Sequence, residues 1–108
     1  MTQNQYKVGD KIKFAEEKQR YTVRAAGPRY LVCTKPMNVH RTVLYTVVDL
    51  EENVRGTENL IFGHGAETDE QCAEMLARLE GRDVELGWTT EVSRRNRVPF
   101  RIDSVASA

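Results

Sequence analysis

The residues with the clearest capacity for chemistry are basic, and they form two groups. One group is compact, with three arginines and an asparagine in four consecutive positions. The other is spread over predicted strands and one loop. Guanidinium groups present a planar fork of donors that suits phosphate or carboxylate, so both groups predict an anionic partner. The predicted binding residues are Arg94, Arg95, Asn96, Arg97 and Arg101 in the first group, and Arg24, His40 and Arg41 in the second.

The distribution of charge leaves two interpretations of these groups open. The chain has 16 basic and 16 acidic residues, so its formal net charge is zero. Residues 1–48 and 92–108 are net basic, whereas residues 49–91 are net acidic. Either the basic parts pair with the acidic part and stabilise the fold, or they leave a basic face open to a partner. The first interpretation is favoured, because surface charge is usually only solvated surface.

The compact group precedes a segment that alternates like a strand, Val98 to Val105. Pro99 has no backbone N–H, so it is predicted to lie in an edge strand or at the start of a strand. If the strand extends backwards, Arg95, Arg97 and Arg101 share one side, opposite the apolar residues. These three arginines are therefore expected to be exposed to solvent.

Cysteine and histidine side chains offer an alternative chemistry. The set Cys33, His40, His64 and Cys72 has a spacing that matches no common structural zinc pattern. Both cysteines lie on apolar runs and are expected to be small buried residues. The chain contains no nucleophile elbow and no phosphate-binding loop motif. The sequence therefore predicts neither a metal, nor a cofactor, nor catalysis.

The core of the predicted fold is a meander of three strands between Tyr21 and Leu50. Its middle strand, Tyr30 to Thr34, is almost continuously apolar, which indicates a central strand buried on both faces. An earlier strand is predicted to be half-buried, because Ile12 and Phe14 alternate with two lysines.

The sequence also predicts the orientation of one strand, a polar turn and a further short strand. Tyr21, Val23 and Ala25 are expected to share one face of their strand. Residues 51–56 are predicted to form a polar turn that ends in glycine. A short strand is predicted from Asn59, and the glycine at position 63 ends it.

One helix is predicted, near residues 69–80. Thr68 is a suitable N-cap and Gln71 completes a capping box, while Gly81 is a suitable residue for the end of the helix. Four apolar residues have helical spacing and are expected to dock on the sheet. They are Cys72, Met75, Leu76 and Leu79.

Length and composition indicate a single domain over residues 1–108. The predicted class is mainly β (α+β), either a small antiparallel sheet or a partly open SH3-like barrel with one docked helix. The SH3-like element is a resemblance, carried by the opening VGDKIKF and the following YTV. No apolar run is long enough for a membrane span, and the N-terminus lacks the apolar core of a signal peptide, so a cytoplasmic protein is expected.

Several segments in the same order resemble an uncharacterised family of small proteins carried by bacteriophages and integrative elements. They are VGDKIKF, YTVRA, LVCTKP, TVLYTVVDLEENVRG, ENLIFG and VSRRNRVPF. The resemblance implies a bacterial cytoplasmic protein with an accessory role linked to mobile DNA. Together with the basic groups, it predicts a non-enzymatic binding module that recognises nucleic acid through a basic sheet face. The alternative is a protein-binding inhibitor or adaptor of a host protein.

Overall fold

A computed structural model of the protein describes residues 6–36, 43–56, 67–82 and 97–107. The strands form a single antiparallel sheet in the order β6-β5-β4-β3-β2-β1-β7. This sheet curves into a partly open barrel with one docked helix, which confirms the predicted mainly β class. The elements are β1 (Lys11–Phe14), β2 (Tyr21–Ala26), β3 (Tyr30–Pro36), β4 (Val43–Asp49), β5 (Val54–Gly56), α1 (Asp69–Glu80), β6 (Arg97–Pro99) and β7 (Ile102–Ala106).

The sheet separates two clusters of buried side chains. The inner core lies inside the barrel, and the helix core lies between the sheet and α1. β3 is the fourth of the seven strands and contributes to both clusters, so its predicted central position is confirmed. The inner core contains Ile12, Phe14, Tyr21, Val23, Leu31, Cys33 and Val48. The helix core contains Ala25, Tyr30, Val32, Val47, Cys72, Met75 and Leu79.

A β-bulge in β2 changes which side its residues face. Val23 is paired with Cys33 and Ala25 with Val32, so one extra residue of β2 lies between these pairs. The extra residue breaks the alternation of sides. As a result Tyr21 and Val23 belong to the inner core, whereas Ala25 belongs to the helix core. The prediction that these three residues share one face is therefore wrong.

The predicted final strand, Val98 to Val105, is divided into β6 and β7. β6 pairs with β5 at one edge of the sheet, and β7 pairs with β1 at the other edge. Phe100 and Arg101 connect the two, so this segment carries the chain from one edge of the open barrel to the other. The predicted edge position of the strand that contains Pro99 is confirmed, since β6 is the first strand of the sheet order.

The polar turn predicted for residues 51–56 is wrong in its second half. Val54–Gly56 form β5, which pairs with β4 and with β6. The reversal before β5 includes Asn53, whose φ of 59° lies in the left-handed region that asparagine tolerates. The short strand predicted from Asn59 lies outside the described residues.

The helix begins and ends where the sequence predicts. Thr68 Oγ1 accepts a hydrogen bond from the Gln71 N–H, and Gln71 Oε1 accepts one from the Thr68 N–H, both at 3.1 Å. This capping box satisfies two backbone donors that the first turn leaves without partners. Cys72, Met75 and Leu79 are buried, and Leu76 is only partly buried at the margin of the helix core.

The C-terminal end of the helix is fixed to the turn between β2 and β3. The Glu80 carboxylate accepts hydrogen bonds from the backbone N–H groups of Arg29 and Tyr30, each at 3.1 Å. This close approach requires a glycine in the turn, because a Cβ atom at Gly27 would clash with the Glu80 carboxylate. The helix is thus positioned by its apolar side chains and by this polar contact.

Candidate functional site

The predicted binding residues do not all fall in the described part of the chain. Arg94, Arg95, Asn96, His40 and Arg41 lie outside the described residues. The remaining three predicted residues are on different elements of the sheet. They are Arg24 on β2, Arg97 at the start of β6 and Arg101 between β6 and β7.

Arg24 connects the sheet to the start of the helix. Its Nε and Nη2 atoms donate to Asp69 Oδ1 at 3.0 and 2.5 Å, and Nη1 donates to Thr34 Oγ1 at 3.3 Å. Asp69 is in the first turn of α1, where the helix dipole favours a carboxylate. Arg24 therefore has a structural role, and its guanidinium is already occupied by an anion of this chain.

Arg97 is not the exposed arginine that strand alternation predicts. Its side chain is 6% exposed, and Nη1 lies 3.8 Å from Glu52 Oε2. Arg97 lies opposite Gly56 in the pairing of β6 with β5, and its long side chain reaches Glu52 in the acidic turn before β5. The expectation that solvent surrounds this side chain is therefore wrong.

Other pairs join the basic N-terminal part to the acidic middle part. Arg29 donates from Nε and Nη2 to the two carboxylate oxygens of Asp49, at 3.1 and 2.9 Å. Asp49 is fully buried, and the hydrogen bond to it raises the pKa of the Arg29 guanidinium. Together with the pair between Arg24 and Asp69, this contact supports the interpretation that the charged parts stabilise each other.

A buried arginine that the sequence analysis missed organises one end of the barrel. Arg55 is 2% exposed and donates from Nη2 to Glu16 Oε1 at 2.6 Å and to Glu17 Oε2 at 3.0 Å. Its guanidinium carbon lies 4.5 Å from the centre of the Phe14 ring. Lys35 donates to the other oxygen of Glu17 at 2.8 Å. A three-residue strand is too short to show an alternation that would identify Arg55 in the sequence.

The pKa values in this network follow from burial opposed by hydrogen bonding. Burial raises the pKa of the Glu17 carboxyl, but hydrogen bonds from Lys35 and Arg55 outweigh it and hold that pKa below its usual value. Burial lowers the pKa of Arg55, but hydrogen bonds to Glu16 and Glu17 raise it further than burial lowers it. The neighbouring Tyr21 hydroxyl has its pKa raised to about 12, mainly by burial. Hydrogen bonding thus favours the ionised forms of the Glu17 carboxyl and the Arg55 guanidinium.

Two lysines on the outward-facing side of β1 and an arginine directly before β2 form a strip of cations, which we call the basic strip: Lys11, Lys13 and Arg20. Arg20 is exposed and lies across β1, donating to the Lys11 carbonyl at 3.2 Å and to Ser104 Oγ at 2.7 Å. Lys13 Nζ lies 3.5 Å from an Asp103 carboxylate oxygen. α1 contacts β2 and β3. The strip on β1 has one neighbouring carboxylate among the described residues.

The free edge of β7 is a second candidate binding surface, beside the basic strip. Among the described strands β7 ends the order of the sheet, and the strand paired with it is β1. In the described part of the chain, no hydrogen bond reaches its other side. Four of its five residues are exposed, including Val105 at 42%.

The backbone direction of Val105 follows from the pattern of hydrogen bonds in β1. The Val23 N–H donates to the Asp10 carbonyl at 2.8 Å, so the backbone groups of Asp10 point towards β2. Alternate residues of a strand bond to the same neighbour, so the backbone groups of Ile12 and Phe14 also point towards β2. Lys11 and Lys13 therefore bond to β7, where their partners are Ala106 and Ser104. Val105 lies between these partners, so its N–H and C=O point away from β1 and towards the free edge.

The two thiols are in the interior. Cys33 is in the inner core and Cys72 in the helix core, and burial raises the pKa of both. Their predicted burial is confirmed. His40 and His64, the histidines of the zinc alternative, lie outside the described residues.

Arg101 lines a shallow groove of about 330 Å³ where the chain passes between β6 and β7. Ala15, Glu16, Pro99 and Phe100 form the rest of its lining. Arg101 is exposed, as predicted, and its carbonyl accepts a hydrogen bond from the Ala15 N–H at 2.8 Å.

No protein-family model, no curated protein and no solved structure matches this chain. The resemblance to small proteins of bacteriophages and integrative elements stays a prediction, as does the SH3-like character of the N-terminal part. Within the described ranges, the helix is too short and too polar to cross a membrane.

Proposed function

We propose that this protein is a non-enzymatic binding module that takes up an extended segment of a protein partner along the free edge of β7. The observation that carries this proposal is the outward direction of the Val105 N–H and C=O on a strand that, within the described ranges, is paired on one side only. A strand with free backbone groups is a template for another strand, and peptide-binding domains use such edges.

The side chains of β7 favour this use of the edge. Proteins that avoid pairing at an edge place lysine or proline on it, or cover it. β7 has the sequence IDSVA, with small or β-branched residues, neither lysine nor proline, and one acidic residue. An incoming backbone can therefore approach it closely.

The proposal predicts that Val105→Pro weakens binding of an extended peptide. The probe is a set of short fluorescein-labelled peptides in which valine alternates with Glu, Gln or Lys. Proline removes the outward N–H and fills its place with the ring, while the bonds of β7 to β1 remain. A loss of about fivefold or more is expected for the peptide that binds best, since the lost backbone hydrogen bond alone is worth about 1 kcal/mol and the proline ring also obstructs the incoming strand. Fluorescence anisotropy measures the affinities.

Two further measurements control this experiment. Val105→Thr keeps the amide and the branched shape, so it should bind within about threefold of the unchanged protein. In the unchanged protein, the Val105 amide should exchange quickly without peptide and slowly with it, while Ser104 and Ala106 exchange slowly in both states. Binding of none of the peptides, or equal binding by the Pro and Thr variants, would contradict strand addition.

Single-stranded nucleic acid is the second candidate partner, favoured by the basic strip. Lys11, Lys13 and Arg20 lie on neighbouring outward positions, and α1 packs on other strands. A line of cations suits the phosphate backbone. Arg94 and Arg95 belong to this candidate as a prediction from the sequence.

If nucleic acid is the partner, salt should weaken binding steeply. The double variant Lys11→Gln, Arg20→Gln should flatten the slope of log affinity against log salt by up to about two units, because each lost phosphate contact removes nearly one. Arg82→Gln removes an exposed arginine at the end of α1 and should leave the slope unchanged. Arg94→Gln with Arg95→Gln applies the same measurement to the predicted cluster. A slope near zero in the unchanged protein would argue against this candidate.

A further inference from the structure

The structure also points to the chemistry of the segment that β7 accepts: we infer that it carries acidic side chains at alternate positions, with apolar side chains between them. This inference rests on the proposed strand addition at β7. The two sides of the β7 edge differ, because the inner side is apolar and the outer side is basic.

The inner side of the edge is apolar. Val105 is paired with Ile12, a residue of the inner core, and directly opposite residues face the same side of a sheet. Ile102 also packs against the inner core and is partly exposed. An added strand would place alternate side chains beside Val105, where only apolar groups gain from the contact.

The outer side of the edge is basic. The Arg20 guanidinium lies over Ser104, with Nη2 at 2.7 Å from Oγ and Nη1 at 3.5 Å from the carbonyl oxygen. Arg101 is exposed immediately before β7, and Lys13 lies on β1 opposite Ser104. The one carboxylate of β7, Asp103, is 3.5 Å from Lys13 and offsets a single cation.

These two sides define a complementary strand. Side chains of an added strand alternate between the sides, so those beside Val105 should be apolar and those beside Arg20 should be acidic. Opposite charges on neighbouring strands stabilise the pairing, and like charges destabilise it. A second copy of β7 fits this surface less well, because it would bring a second Arg20 and Lys13 to the same side.

The three alternating peptides test this directly. At low salt the Glu/Val peptide should bind about tenfold more tightly than the Gln/Val peptide, and the Lys/Val peptide more weakly than either. High salt should reduce the difference, because the cations are at the surface. Arg20→Gln should reduce the difference in affinity between the Glu/Val and Gln/Val peptides, whereas Arg82→Gln should leave that difference in affinity unchanged.

The outcomes separate the two proposals. Equal affinities for the Glu and Gln peptides, together with loss of both in Val105→Pro, would overturn the acidic preference and leave strand addition intact. Peptide binding that Val105→Pro does not affect would overturn both. Concentration-dependent dimers that Val105→Pro abolishes, with no peptide bound, would also overturn both and assign the edge to a second copy of this chain.

Discussion

Replacing Arg55 with methionine should lower the free energy of unfolding by about 3 kcal/mol, the lower end of the range for removing one partner of a buried ion pair. The Arg55 side chain is buried and holds Glu16 and Glu17 with hydrogen bonds of 2.6 to 3.0 Å. Methionine fills much of the same volume over Phe14 but offers no donor. Glu17, only 21% exposed, then loses a partner without returning to water.

This loss has a signature in its dependence on pH. The pKa of Glu17 in the folded protein lies below its ordinary value of 4.5, because hydrogen bonds from Lys35 and Arg55 outweigh burial. A carboxyl with a lowered pKa stabilises the fold above its unfolded pKa, and the contribution is lost as pH falls through the folded pKa. In Arg55→Met the folded and unfolded pKa values should move closer together, so less stability should be lost below about pH 4.5.

Urea unfolding at neutral pH and through the acid range measures both effects. Glu16→Gln is the matched control: its side chain is 48% exposed, so a change within about 1 kcal/mol is expected. Adding Glu17→Gln to Arg55→Met should restore part of the loss, because the stranded carboxylate is then gone. This account of the network would be contradicted if Arg55→Met left the free energy of unfolding unchanged. It would also be contradicted if that free energy fell with decreasing pH as steeply as in the unchanged protein.

Features that depend on neighbours in the sequence could be predicted. The helix is bounded by Thr68, Gln71 and Gly81, and each of these signals acts within one turn. The central strand β3 is similar, because an apolar run shows directly that both faces of a strand are covered. The interactions that define the helix ends and the apolar run of β3 involve residues close together in the sequence, so the sequence alone is enough to predict them.

Features that depend on which strand lies alongside could not be predicted. The bulge in β2 shifts Ala25 to the helix core, and the alternation of residue types does not reveal it. The side chains of Arg55 and Arg97 are only 2% and 6% exposed, and both lie where β5 pairs with β6, which is a contact between residues more than forty positions apart. Such pairing depends on the closure of the whole sheet rather than on local preference.

In the candidate site, too, local features could be predicted from the sequence and features that depend on strand pairing could not. Pro99 indicated an edge strand, and β6 is one. The free edge at the opposite end belongs to β7, which follows Pro99 by only a few residues but pairs with β1. Recognising it requires knowing that the chain crosses the open side of the barrel at Phe100. Of the residues around this edge, the sequence analysis predicted Arg101 as a binding residue but neither Val105 nor Arg20, because the sequence does not show which backbone groups are free.

Leu79→Ala should lower the free energy of unfolding by about 2–5 kcal/mol, the usual cost of removing a buried leucine side chain from a core. Leu79 is fully buried in the helix core, where α1 packs on β2 and β3. A helix of this length is marginal in water without such packing, so the loss affects the attachment of the whole helix.

Leu76→Ala is the matched control on the same helix, and its smaller effect distinguishes packing from helix propensity. Both variants replace leucine with alanine, a better helix former, so propensity alone would predict no loss in either. Leu76 is only partly buried, and its Cδ1 atom lies 3.2 Å from the position of a Cβ atom at Gly27. The expected loss for Leu76→Ala is about 1 kcal/mol, in proportion to the smaller apolar area that it buries. Denaturant unfolding of the two variants measures both values. Equal losses would mean that the two leucines contribute alike to docking, and that the helix lies closer to the β2–β3 turn than the burial of Leu76 indicates.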